Sequence, residues 1–188
     1  MKQLSIFFLL ITISMAASAD QIFGDFKRPK NDIERGFSAS ADMGMFNITG
    51  ERRTATNPGF QMSLNLGVDI NKSVSIEAVN VLGINEADPF DSALQGGVNT
   101  FMHELTAKYQ YPRTRMQPFV QAGGGVFYSK PGFNFDNDSY KLTMMFAGGL
   151  EYYTYLRHYS IYVKSIYHII MDAPFNAWSL SAGLKYTF

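Results

Sequence analysis

The sequence predicts an all-β fold, an eight-stranded antiparallel up-and-down β-barrel that crosses a membrane. Three observations predict it. Apolar residues recur at every second position over segments of about 11 to 14 residues, longer than soluble strands and long enough for a tilted membrane strand. The connections between those segments alternate between short and long, as barrels with one loop-bearing rim require. Beyond the first residues, no stretch is long and apolar enough for a membrane-crossing helix. A chain of this kind satisfies its backbone in lipid only by closing a barrel.

The N-terminus reads as a leader. Lys2 supplies a positive start, Ile6 to Ile13 is an apolar run containing one Thr, and Ala17-Ser18-Ala19 has the small-x-small pattern of a cleavage site. These predict a signal peptide over 1–19 and a mature start at Asp20. No Cys stands at the junction, which argues against a lipid-anchored form. Asp20 to Arg35 is polar and carries Pro29, so 20–35 reads as a periplasmic tail and 36–188 as the barrel.

The first strand is expected over 36–47. The second has the clearest alternation: Phe60, Met62, Leu64, Leu66, Val68 and Ile70 interleave with Gln61, Ser63, Asn65, Gly67 and Asp69. Period two means strand, because a helix would mix the two sets. Further strands follow at 73–84, 98–111, 117–129, 140–153 and 158–171. In 73–84 the apolar set changes parity near Val79 and Val81, which predicts a bulge. In 117–129 the run Gly123-Gly124-Gly125 predicts a bend or bulge. The last strand alternates Trp178, Leu180, Ala182, Leu184, Tyr186 and Phe188 with Ser179, Ser181, Gly183, Lys185 and Thr187.

Asn71-Lys72, Pro112 to Met116 and Thr154 to Arg157 are the short connections, assigned to the periplasm. Ile48 to Pro58, Asn85 to Gly97 and Lys130 to Ser139 are longer and assigned outside, with Met171 to Asn176 the shortest of that set. Arg52, Arg53, Asp88, Asp91, Asp136 and Asp138 give these outer loops a charged contact surface.

Alternation alone does not say which face points outward. A soluble barrel would turn the apolar face in. Aromatic residues argue for lipid outside, because rings collect where lipid meets water. Tyr109, Tyr111, Tyr152, Tyr153, Tyr155, Tyr159, Tyr186 and Phe188 fall toward the periplasmic rim; Phe46, Phe60, Tyr128, Tyr140 and Trp178 fall toward the outer rim. The polar face carries charges in mid-strand: Asp42, Asp69, Glu77, Glu104, Lys108, Lys141, Glu151, Lys164 and Lys185. A lysine facing lipid at mid-bilayer costs about 2–4 kcal/mol. Turned inward, these acids and bases pair in a lumen network.

The ending Ser181-x-Gly183-x-x-Tyr186-x-Phe188 resembles the terminal signal read by the outer-membrane barrel-assembly machinery. Strand count, size and ending together resemble the small outer-membrane barrels typified by the OmpA transmembrane domain and OmpX, over 36–188. That resemblance implies the outer membrane of a Gram-negative cell, with outer-membrane lipids and the assembly machinery as partners. A narrower stretch, Phe146 to Ile161, resembles the adventurous gliding motility barrels of the CglE type, which implies an envelope or motility role without a defined chemistry.

Candidate chemistry is sparse. The chain has no Cys, so neither disulfides nor a thiolate zinc site is available. Lys plus Arg and Asp plus Glu number 16 each, which gives no support for nucleic-acid binding by phosphate neutralisation. His158-Tyr159-Ser160 has the His-x-Ser spacing of outer-membrane lipid A deacylases, but begins a strand on the periplasmic side, away from lipid A. His103 is expected at the outer interface, facing outward, and His168 inward near Lys164; three dispersed histidines make no metal site. No cofactor is implied. Eight strands leave an interior that side chains fill, so a general pore is disfavoured. Ala122, Gly124, Gly148, Ser165 and Ala182 are small residues on the lipid face, where close approach of a second barrel is expected. The reading is a non-enzymatic structural or interaction protein that self-associates. A lipid-modifying enzyme and a narrow ion channel are the competing classes.

Overall fold

The computed structural model describes residues 35–50, 57–86, 98–111, 115–130, 140–156 and 158–188. The expected signal peptide, the tail before Arg35 and the six charged loop residues named above lie outside them.

Eight strands form: β1 (Phe37–Gly50), β2 (Gly59–Asp69), β3 (Val74–Asn85), β4 (Val98–Gln110), β5 (Met116–Lys130), β6 (Tyr140–Tyr153), β7 (Tyr159–Ile170) and β8 (Phe175–Thr187). Each pairs antiparallel with the next, and β8 pairs with β1 to close the barrel. Closure leaves no free edge, so every strand has a partner on both sides. From Ser38 the pairing runs through Gly67, Glu77, Thr106, Gly123, Met145, His168 and Ala177, and returns to β1 at Ile48, ten residues further along. That stagger tilts the strands and fixes the barrel's width.

The apolar set faces out. Leu64, Leu105 and Leu142 are 66%, 64% and 62% exposed, while Gln61, Ser63 and Asn65 are buried inside. An outward band of large apolar side chains around a closed barrel is the surface that meets lipid.

The short turns are built by local hydrogen bonds. Asn71 Oδ1 accepts from the amides of Ser73 (2.8 Å) and Val74 (2.9 Å), a side chain closing its own turn. Thr154 Oγ1 donates to the carbonyl of Tyr159 at 2.7 Å, and Arg115 holds the Thr154 carbonyl at 2.7 Å. At the other rim β1 runs on to Gly50 and β8 starts at Phe175, with Gly50 opposite Phe175. The β7–β8 connection is therefore a tight turn over 171–174, with Asp172 at a φ of 55°. The sequence reading placed these two strand ends three residues short.

Neither expected bulge forms. Register through β3 is continuous on both sides, and Val79 and Val81 simply point inward, 1% and 3% exposed. The apolar set never changed parity; the lumen is apolar at that height. Register through β5 is also continuous. Gly123 and Gly125 face inward, where a Cβ on either would overlap the carbonyl oxygens of Leu105 and His103. The triplet lets β5 press closely against β4 without breaking the ladder.

Candidate functional site

The lumen has two tiers. Toward the end that carries both barrel termini, periplasmic on the sequence reading, lies a charged tier. Lys108 Nζ contacts Glu151 at 2.6 Å and Glu77 at 3.5 Å, with the Phe119 ring centroid 4.2 Å away. Lys185 lies 3.6 Å from Glu151 and 4.0 Å from Asp69. Gln110 and Ser160 each donate to Glu151 at 2.6 Å, and Gln121 donates to Glu77 at 3.1 Å. Beside this chain, Lys164 meets Asp42 at 2.8 Å, and Tyr162 donates to the same carboxylate at 2.8 Å. Buried charges are retained where they are paired; Lys108 and Glu151 are also hydrogen-bonded, whereas Lys185 Nζ and Asp69 Oδ1 have ion-pair contacts alone.

Above it sits an apolar tier: Phe46, Ile48, Val79, Val81, Val98, Met102, Phe127, Ile170, Phe175 and Ala177 form one buried cluster. Phe127 and Phe175 meet edge-on at 5.7 Å. Where the tiers meet, His168 contacts Glu104 at 3.0 Å, and Thr143 donates to the same oxygen at 3.3 Å. His168 thus has Glu104 as partner rather than Lys164.

All nine charged residues named from the sequence project from the inward side of their strands. Eight of them lie in the tiers just described; Lys141, half-buried opposite Phe127, lies at the outer mouth. The apolar tier went unrecognised in the sequence, although a signal was present. Phe46 shares parity with Asp42, and Val79 and Val81 with Glu77, so extending the charged face along each strand puts them inside. Phe46 is accordingly a lumen residue and not part of an outer girdle. Tyr153 likewise points inward and donates to Gln110 at 3.2 Å.

The aromatic rims are otherwise populated. Tyr128 stacks on Tyr140 at 5.1 Å with Phe101 beside it at 6.2 Å. At the opposite rim Tyr186 packs against Tyr159 and Phe188, each at 5.0 Å. The terminal pattern spans both faces. Ser181 and Gly183 face the lumen, Tyr186 and Phe188 face out, and the Phe188 amide donates to the Phe37 carbonyl at 2.9 Å. A Cβ on Gly183 would stand 2.6 Å from the Tyr162 ring, so glycine there is what lets that ring lie across the strand.

The His-x-Ser pair does not assemble. Ser160 is buried in the lumen against Glu151, whereas His158 Nδ1 is 2.7 Å from the Thr187 carbonyl and its ring stacks on Tyr186 at 5.3 Å. Among the described residues no cluster of His, Cys, Asp or Glu is arranged to hold a metal ion.

On the lipid face Ala122, Gly124, Gly148, Ser165 and Ala182 all point outward, on four consecutive strands. Only Gly148 and Ser165 stand directly opposite one another; exposed Phe146, Val163 and Leu180 interrupt the set. Ser165 Oγ accepts from Trp178 Nε1 at 3.0 Å, so the indole partly covers it. A different polar feature occupies this face. Asn80 and His103, opposite one another at the middle of β3 and β4, are both exposed and lie 2.7 Å apart. His103 thus stands well inside the apolar belt and not at its outer margin.

No protein-family model and no curated protein matches the chain. Solved structures do. Neisserial surface protein A aligns with a TM-score of 0.65 at 16% identity, over 81% of this chain and 97% of that one. OprG from Pseudomonas aeruginosa aligns at 0.55 and 14%, over 84% and 99%. Ail, the attachment invasion locus protein of Yersinia pestis, aligns at 0.54 and 14%, over 81% and 100%. At these identities the likeness is one of fold.

Proposed function

We propose that this chain, a small eight-stranded outer-membrane β-barrel, is a non-enzymatic structural or interaction protein of the cell envelope that associates with copies of itself. The observation that carries the reading is the filled lumen. An apolar tier of Phe46, Phe127, Phe175 and their neighbours lies over a tier of paired lysines and carboxylates, which supports a barrel whose interior is packing rather than a general pore. The charged groups inside lie against opposite charges of the same barrel, Lys108 on Glu151 and Glu77, Lys164 on Asp42 and Lys185 on Glu151 and Asp69. His158 and Ser160, the residues with a hydrolase spacing, are committed elsewhere. The outer connections, with Arg52, Arg53, Asp88, Asp91, Asp136 and Asp138, are the surface assigned to an external partner. The likeness to gliding motility barrels over Phe146 to Ile161 fits such a role.

Planar-bilayer recordings of the reconstituted mature barrel test this directly. No steady single-channel current is expected, and mass spectra of lipid A from expressing cells should show unchanged acyl chains. Reproducible stepwise conductance, or a lost or added acyl chain, would replace the reading with the channel or the enzyme.

A further inference from the structure

We propose that the barrel forms a two-fold dimer through the lipid-facing surface of β3 and β4, completed by hydrogen bonds from the Asn80 of each copy to the His103 of the other. The inference rests on the self-association proposed above and names the face that mediates it.

Asn80 and His103 are polar side chains at mid-strand on the lipid-facing side. Their surroundings are Leu64, Ala78, Leu82, Leu105 and Val126. Polar groups at such depth are costly against hydrocarbon and mark functional positions. Their own contact is incomplete. Asn80 Oδ1 is only an acceptor, so at 2.7 Å His103 Nδ1 must carry the proton and donate. In the neutral ring Nε2 is then a bare acceptor. Asn80 Nδ2 gives one hydrogen to the Leu64 carbonyl at 3.2 Å, and its second N–H has no acceptor among the described residues. The pair therefore presents one unused donor and one unused acceptor to lipid tails, which offer neither.

A second copy supplies both. A two-fold axis along the membrane normal, passing between β3 and β4, sets Asn80 of each barrel opposite His103 of the other. The unused N–H then meets the unused Nε2 twice, as a self-complementary contact requires. The neighbouring surface permits close approach. Ala78 lies beside Asn80, Gly124 is opposite Leu105, and Ala107 is opposite Ala122. A groove of about 440 Å³ runs over Ala107 and Ala122, walled by Tyr109, Val120 and Phe146. Small residues at a membrane interface let backbones come together. Ala122 and Gly124, two of the five small residues singled out in the sequence, border this face; the other three do not.

The chain has no cysteine, so a single introduced one reports on one face. In the full mature barrel reconstituted in lipid vesicles, Leu105→Cys should give a disulfide-linked dimer on mild oxidation. Leu180→Cys, on β8 across the barrel, should not. His103→Leu and Asn80→Leu should each raise the dimer dissociation constant at least about tenfold, a loss readable by fluorescence energy transfer on dilution into lipid. Heat-modifiable gel mobility shows that each variant is folded. Equal cross-linking at Leu105→Cys and Leu180→Cys, or a dimer indifferent to His103→Leu, overturns this face while leaving self-association standing. A wild-type barrel that is monomeric at every dilution overturns both readings.

Discussion

Glu151 is fully buried, with Lys108, Gln110 and Ser160 each at 2.6 Å and Lys185 at 3.6 Å. Two lysines from different strands depend on one carboxylate. Replacing Glu151 with Leu leaves both cations buried without their nearest acid, so the barrel should lose about 3–5 kcal/mol of stability. Urea unfolding of the protein in vesicles measures this. Adding Lys108→Met should recover part of the loss, because the charge left uncompensated is then removed rather than exposed to a low-dielectric interior. Recovery of nothing would mean that Glu151 acts through packing alone. Gly183 acts at the same scale by having no side chain. The Tyr162 hydroxyl reaches Asp42 at 2.8 Å only because its ring passes over a position where a Cβ would stand 2.6 Å from it.

Among the elements, β2 was legible from sequence along its length and β8 from Trp178 onward, since apolar and polar residues alternate there without exception; the start of β8 was not, because Phe175 and Ala177 face the lumen. β3 was legible as a strand but not in its details. Val79 and Val81 look like lipid-facing residues until the lumen is known to hold an apolar tier at their height, and that depends on Phe46, Met102 and Phe127 from other strands. The same non-local dependence hid the inward aim of Phe46 and Tyr153. It also hid the level of His103, because the ten-residue stagger sets height in the membrane and no single strand records it. For β8 the terminal residue ties the seam. Phe188 bonds the Phe37 carbonyl at 2.9 Å and its ring lies 5.6 Å from that of Phe37. Deleting Phe188 should lower the yield of folded barrel in the outer membrane several-fold, measured by protease resistance of intact cells. An undiminished yield would mean that Ser181, Gly183 and Tyr186 suffice.

At the scale of the whole molecule, closure and stagger place eight polar strand faces around one axis, yet they do not make one uniform interior. Charges gather toward the rim that holds Phe37 and Phe188, and aromatic and aliphatic side chains toward the rim that holds Gly50 and Phe175. That polarity along the axis follows from which residues each strand presents at each height, and it divides the barrel into halves of different character. A consequence reaches beyond conductance, to how the backbone breathes. Water drawn in among the charged side chains should reach the amides of Ser38, Lys108 and Gln110 during small openings. Those of Phe46, Met102 and Phe127 lie behind dry packing and should need far larger excursions. Deuterium uptake followed residue by residue should therefore run as a gradient up every strand, fast at the rim of Phe37 and Phe188 and slow at the opposite one. The same protein would be supple at one rim and stiff at the other.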